Sequence, residues 1–371
     1  MIMEAVLEIT DRKLPDLFRF NDGGKVRTPS DWRKRRQELR DTIVELLYGG
    51  MPPVPEQTRV ELLHPHFAKS LGVYRYHTYR VIADQEHKLT FTMKVLAPDG
   101  DGPFPVIVNG DGCWEFITEE IIAEVMSRGC ALALFNRTEI ASDIYQYARD
   151  SGIYRLYPDG KFGAIAAWAW SYHRCVDALM QLDSVADPYL YKHRIPIDTA
   201  KIAIAGHSRG GKTTLLAGAT DERIALVCAN NSGTGGAGSY IFHGKDSEML
   251  SDSMKFGFYW YNRDFLSRYI DRQEELPFDQ HFLKALIAPR ALLTTEALGD
   301  SHANPEGTWL IHEAAGKAYN FLGAEKRIGI WYRKGGHAHS LEDWRTLLDF
   351  IDWQFRGIKP NRDFNINPFI K

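Results

Sequence analysis

Short apolar runs alternate with longer stretches of helical spacing over most of the chain. Phe104–Val108, Ala131–Phe135, Lys201–Ala205, Ile224–Ala229, Ala291–Thr295 and Arg327–Tyr332 have the length and apolar character of strands buried on both faces. Residues 117–128, 163–182, 308–322 and 341–355 read as the helices between or after them. Upstream, Gly72–Ala83 and Lys88–Leu96 are β-rich and predict an antiparallel pair. Residues 30–50 carry a helical pattern, with Ser30 and Asp31 as cap candidates and Gly49-Gly50-Met51-Pro52-Pro53 as the stop.

Repeated strand–helix alternation predicts an α/β fold with a mostly parallel sheet covered on both faces. One domain over residues 1–371 accommodates it, with residues 1–55 as an N-terminal helical extension. Residues 233–285 break the rhythm and are rich in Gly, Ser, Tyr, Phe and Trp, which predicts an insertion over the site. In such sheets chemistry collects beyond the carboxyl ends of the strands.

Composition narrows the functional classes. A formal net charge of −3 and an apolar fraction of 44% are ordinary for a soluble enzyme. The densest basic run, Arg33-Lys34-Arg35-Arg36, is followed by Glu38, Asp41 and Glu45, so it reads as a mixed helix face and not as a nucleic-acid footprint. Cys113, Cys130, Cys175 and Cys228 are too widely spaced for a metal or redox motif. No cofactor or metal is expected. No stretch reaches the roughly 20 apolar residues of a membrane span. The acidic first residues do not resemble a secretory leader, so a cytoplasmic protein is the expectation. Oligomeric state is left open.

Residues 206–213, Gly-His-Ser-Arg-Gly-Gly-Lys-Thr, satisfy two catalytic patterns at once. As G-x-S-x-G they form a nucleophile elbow; as G-x-x-x-x-G-K-T they form a phosphate loop. A serine hydroxyl needs a base to take its proton and an acid to orient that base. Ser208, Asp300 and His337 supply these in the chain order of α/β-hydrolases, each just past a predicted strand. Glu296 is the alternative acid and His339 the alternative base. The backbone N–H of Arg209 and the Gly110–Cys113 loop, through Gly112, are candidate donors to the oxyanion, and the Arg209 side chain adds positive charge. Lys212, one helical turn past Ser208, is placed to reach a substrate hydroxyl or carboxylate, with a buried ion pair as its bland alternative. The nucleotide reading needs an acid closing an apolar strand to hold magnesium. Neither Asp111 nor Asp300 does so, and the Gly-Gly-His loop is left without a role.

The whole pattern resembles the glucuronoyl esterase family and related bacterial carbohydrate esterases. The resemblance is carried by Tyr48-Gly49-Gly50-Met51-Pro52, Gly163–Trp170, the elbow Gly206–Lys212, Asp221–Leu226, Ser232–Ala237, Leu276–His281, Leu286–Arg290 and Gly336–His339. It implies an α/β-hydrolase fold, no metal, and hydrolysis of an ester on plant cell-wall carbohydrate; acetyl and pectin methyl esters stand beside the uronate ester. It implies Ser208 as nucleophile, His337 as base, Arg209 as oxyanion stabiliser and Lys212 as a sugar contact; His302 and His339, in the loops beside Asp300 and His337, are further candidate substrate contacts. Three positions depart from the family. Asn231 stands where many members carry a catalytic Glu, which moves the acid to Asp300. Ser301–Asn304 replaces a loop that carries a stacking Trp. His207 replaces the elbow's Cys. A non-catalytic carbohydrate-binding relative is a third reading.

Overall fold

The computed structural model describes residues 14–84, 86, 88–115, 117–144, 149–184, 194–256 and 258–370. Its centre is a nine-stranded sheet in the order β1-β2-β3-β5-β4-β6-β7-β8-β9. Strands β4 (Phe104–Asn109), β5 (Ala131–Phe135), β6 (Ile197–His207), β7 (Leu226–Asn230), β8 (Ala291–Ala297) and β9 (Ile328–Arg333) run parallel. All of β4, β7 and β8 is buried, as expected of strands covered on both faces. On one edge, β1 (Arg59–Ser70), β2 (Val73–Ile82) and β3 (Thr90–Pro98) are antiparallel, and β3 joins β5 antiparallel.

β1 has no counterpart in the strands expected from the sequence. It is a sheet edge, none of its residues is buried, and it carries His, Lys and Arg among its apolar positions. No apolar run therefore announces it, and pairing with β2 creates it.

Helix α1 (Pro29–Ile43) begins with Thr28 and Asp31 in a reciprocal capping box, with Pro29 at its first position. It buries Trp32, Leu39 and Ile43. Helices α2 (Glu119–Ser127), α3 (Ala164–Leu179) and α4 (Arg209–Thr220) follow. Nearly every residue of α3 is buried because it packs against α4 and the sheet together. Between β7 and β8 no described residue belongs to a named strand; the chain passes through α5 (Leu250–Phe256), α6 (Arg263–Tyr269) and α7 (His281–Ile287). Helix α8 (Pro305–Phe321) follows β8. Helix α9 (Leu341–Arg356) opens with a Ser340/Asp343 capping box and closes on Gly357 in the left-handed region. The two faces of the sheet bury separate apolar clusters, one with α1, α3, α4 and α7, the other with α2 and α9. This layering, with function-bearing loops at the carboxyl ends of β6, β7, β8 and β9, is the α/β-hydrolase arrangement. Among the described residues no helix is long and apolar enough to cross a membrane.

Candidate active site

Ser208 is the single residue between the end of β6 and the start of α4. Its φ of 55° and ψ of −124° are strained for a residue with a side chain. Two glycines make so sharp a turn feasible. A Cβ on Gly206 would lie 2.4 Å from the Gly210 carbonyl oxygen, and one on Gly210 would lie 2.1 Å from Asp111 Oδ1. The phosphate-loop reading fails here for a geometric reason. One residue cannot form the wide loop that cradles phosphates, and Lys212 is buried.

Asp111, just past β4, braces the turn. Its Oδ2 accepts the backbone N–H of His207 at 2.8 Å, and its Oδ1 pairs with the buried Arg137. Burial pushes its carboxyl up, and Arg137 and the His207 N–H oppose that rise. The Arg137 guanidinium also lies 4.2 Å from the Trp114 ring centroid and 5.0 Å from that of Trp168.

Asp300 and His337 are brought together. His337 Nδ1 is 2.6 Å from Asp300 Oδ2, and that same oxygen accepts the Asn231 amide at 2.7 Å. Burial alone would raise the Asp300 pKa; the hydrogen bonds from His337 and Asn231 outweigh it and hold the group below the usual carboxylate range. The carboxylate is therefore ionised and oriented, which fixes His337 with Nδ1 as donor and leaves Nε2 as the basic nitrogen. The His337 ring packs 4.4 Å from that of His207, directly before Ser208 in the chain.

Glu296 lies inside β8, fully buried, with neither carboxylate oxygen hydrogen-bonded among the described residues. It faces the buried Lys284 of α7 and takes no part in the His337 contact. His339 is corrected as a substrate contact and as a rival base. It is buried, stacked on Trp344 at 4.9 Å and on His207 at 5.9 Å, so its ring belongs to the protein interior. Burial, then neighbouring His207, holds it well below the usual imidazole pKa.

Gly112 is also corrected. Its backbone N–H already donates to the Phe135 carbonyl at 3.1 Å, so it is not a free oxyanion donor. Helix geometry instead leaves the N–H groups in the first turn of α4, beginning with Arg209, without intrahelical acceptors. The Arg209 side chain is gripped by Asp143, whose two oxygens both lie at 3.1 Å, and sits 4.7 Å from the Trp260 centroid. The Tyr259 hydroxyl donates to Asp143 at 2.8 Å. The segment between β7 and β8 thus reaches the elbow through Tyr259 and Trp260.

Lys212 differs from its expected role. Its ammonium donates to the Thr234 carbonyl and, at 2.9 Å, to Glu248 Oε2, which is the buried ion pair. His302 is exposed beside Asp300, and its carbonyl accepts the Glu248 N–H at 2.9 Å. Sequence reasoning missed Asp143, Trp114, Tyr259, Trp260 and Glu248. Glu248, Tyr259 and Trp260 lie within the 233–285 stretch expected over the site, but no local motif singles out these residues or Asp143 and Trp114. Among the described residues no group of three or more His, Cys, Asp or Glu could hold a metal ion.

Comparison with known proteins agrees with this geometry. Residues 81–323 match the family model described as fungal glucuronyl esterase. The 4-O-methyl-glucuronoyl methylesterase of Podospora anserina is 30% identical over 96% of this chain and 73% of its own length. A carbohydrate esterase family 15 glucuronoyl esterase from Caldicellulosiruptor kristjansonii superposes with a TM-score of 0.80 at 34% identity, covering 97% of this chain and 94% of that one. The glucuronoyl esterase catalytic domain of Hypocrea jecorina gives 0.75 at 28% identity, covering 94% and 91%. A strained serine elbow, the aspartate–histidine pair beside it and these likenesses agree: the chain belongs to the glucuronoyl esterase family, serine hydrolases that cleave carboxylic ester bonds of carbohydrates.

Proposed function

We propose that the chain hydrolyses the ester of a 4-O-methyl-glucuronoyl group through an acyl-serine intermediate. The 2.6 Å contact between His337 and Asp300 beside the Ser208 turn carries the serine mechanism, and the likeness to 4-O-methyl-glucuronoyl methylesterases supports the acyl group. Ser208 Oγ attacks the ester carbonyl while His337 Nε2 takes its proton. The resulting imidazolium is stabilised by ionised Asp300. The carbonyl oxygen becomes an oxyanion, held by N–H groups in the first turn of α4 and by the positive charge of Arg209. Collapse expels the alcohol, which leaves with the proton from His337. Water, deprotonated by His337, then attacks the acyl carbonyl; Ser208 regains a proton and the uronic acid departs. His302, exposed and two residues past Asp300, is the side chain this reading assigns to a sugar hydroxyl.

The test is product release from methyl 4-O-methyl-glucuronate, acetylated xylan and methylated pectin at equal ester concentration. The proposal expects the uronate ester to be cleaved with a kcat/KM at least tenfold above the other two. Faster release of acetate or of methanol from pectin would overturn the substrate assignment while leaving the serine mechanism in place.

A further inference from the structure

We propose that His207 is a positioning residue for the base, and that Asn230 and Asn231 extend its hold to the acid. This rests on reading Ser208, His337 and Asp300 as the catalytic trio. The contacts close into a ring. The His207 imidazole packs against His337 at 4.4 Å, and its Nδ1 is 2.6 Å from Asn230 Oδ1. Asn230 Nδ2 donates to Asn231 Oδ1 at 3.2 Å and to Thr295 Oγ1 at 2.9 Å. Asn231 Nδ2 donates to Asp300 Oδ2, the oxygen that faces His337.

The donor pattern fixes the direction of the ring. Asn230 spends its NH2 on Asn231 and Thr295, so its oxygen is the acceptor and His207 Nδ1 must carry the hydrogen. Asn231 in turn presents its NH2 to Asp300. It does so at φ 41°, a left-handed backbone that asparagine tolerates better than most residues. The strain is local to the one amide that aims the carboxylate.

His337 needs such support, because its side chain is 45% exposed and surrounding packing alone cannot fix its ring. Asp300 fixes one nitrogen and His207 fixes the face. His207 serves because it stays neutral. Burial first, then neighbouring His337, holds its pKa down at about 4. A second cation there would oppose the imidazolium that forms during acyl transfer. His339 and Trp344 continue the row of rings behind His207 and keep it from retreating.

The experiment compares His207→Phe, Asn231→Gly and the double variant on the ester that the wild-type enzyme cleaves. Phenylalanine keeps the ring and loses the donor; glycine keeps the left-handed backbone and loses the amide. Each single variant is expected to lower kcat by about 10–100-fold, since small misplacements of catalytic groups cost that much, with KM within about threefold of wild type. The double variant should fall no more than about threefold below the weaker single, because both cut the same ring. The far-downfield proton signal of His337 Nδ1–H should broaden or move upfield in both. Unchanged kcat in Asn231→Gly, a raised KM with kcat intact, or multiplying losses in the double variant would each overturn the proposal. Thermal melting checks folding, and should His207→Phe not fold, the kcat and proton signal of Asn231→Gly decide alone. Ser208→Ala runs in parallel: residual turnover there sinks the serine mechanism itself, whereas a dead Ser208→Ala beside a fully active Asn231→Gly sinks only the positioning ring.

Discussion

Glu296 and Asp300 lie close together in sequence, yet the protein treats the two carboxyls in opposite ways. Asp300 stands past the end of β8, where His337 and Asn231 both donate to it, and its pKa is held down despite burial. Glu296 points into the layer between β8 and α7, has no hydrogen-bond partner among the described residues, and is pushed well up by burial despite the nearby Lys284. Burial acts on both groups, and specific donors decide which one ionises. A base's partner must carry its charge at working pH, so of the two carboxyls Asp300 suits the proposed catalytic acid and Glu296 does not.

The largest expected effect breaks this comparison most sharply. Asp300→Asn should lower kcat by roughly 10³–10⁴-fold, as loss of the orienting carboxylate leaves the histidine in the wrong tautomer. Glu296→Gln should stay within a few-fold of wild type in steady-state turnover. The reverse ranking would move the acid into the strand.

Stability sharpens the contrast at a smaller scale. Lys284 is also fully buried, and desolvation brings its pKa down to about 7, with Glu296 opposing. Burial pushes the ammonium down and the carboxyl up, so both directions favour a neutral pair. Glu296→Gln, nearly isosteric with a neutral carboxyl, should therefore change unfolding free energy near pH 7 by no more than about 1 kcal/mol. Loss of about 3–5 kcal/mol in denaturant titrations would instead mean that a buried ion pair had been broken.

The same pair governs the pH dependence of that stability. A carboxyl whose folded pKa is raised keeps a proton that the unfolded chain gives up, so its contribution is lost as pH rises above about 4.5. Glu296→Gln should flatten that decline. Lysine runs the other way. Between about pH 7 and 10.5 the unfolded chain holds a proton that folded Lys284 has released, so stability rises with pH there, and Lys284→Met should remove the rise. An unaltered profile in either variant would place the titration elsewhere.

Some of this was legible in the sequence because local patterns carry it. The parallel strands announce themselves as apolar runs, and G-x-S-x-G at a strand–helix junction locates Ser208. Asp300 and His337 follow from chain order and strand ends. What was not legible depends on direction in space. Gly112 sits in the right loop, but nothing in a glycine says that its N–H faces Phe135. His339 neighbours His337, but Trp344 of α9 takes its ring into the interior. Lys212 fits a motif position, but its partner Glu248 lies in a segment whose turns and short helices have no strong periodicity. The phosphate-loop pattern matched letter for letter, and the structure rules it out by the length of the turn and the burial of Lys212.

The most direct measurement is labelling of the wild-type protein and of Asp300→Asn with a fluorophosphonate, followed by peptide mass mapping and timed inactivation. The account predicts one adduct on the peptide bearing Ser208 in the wild type, and labelling at least a hundredfold slower in Asp300→Asn. An adduct on another residue, no adduct in the wild type, or equal rates in the two proteins would contradict it.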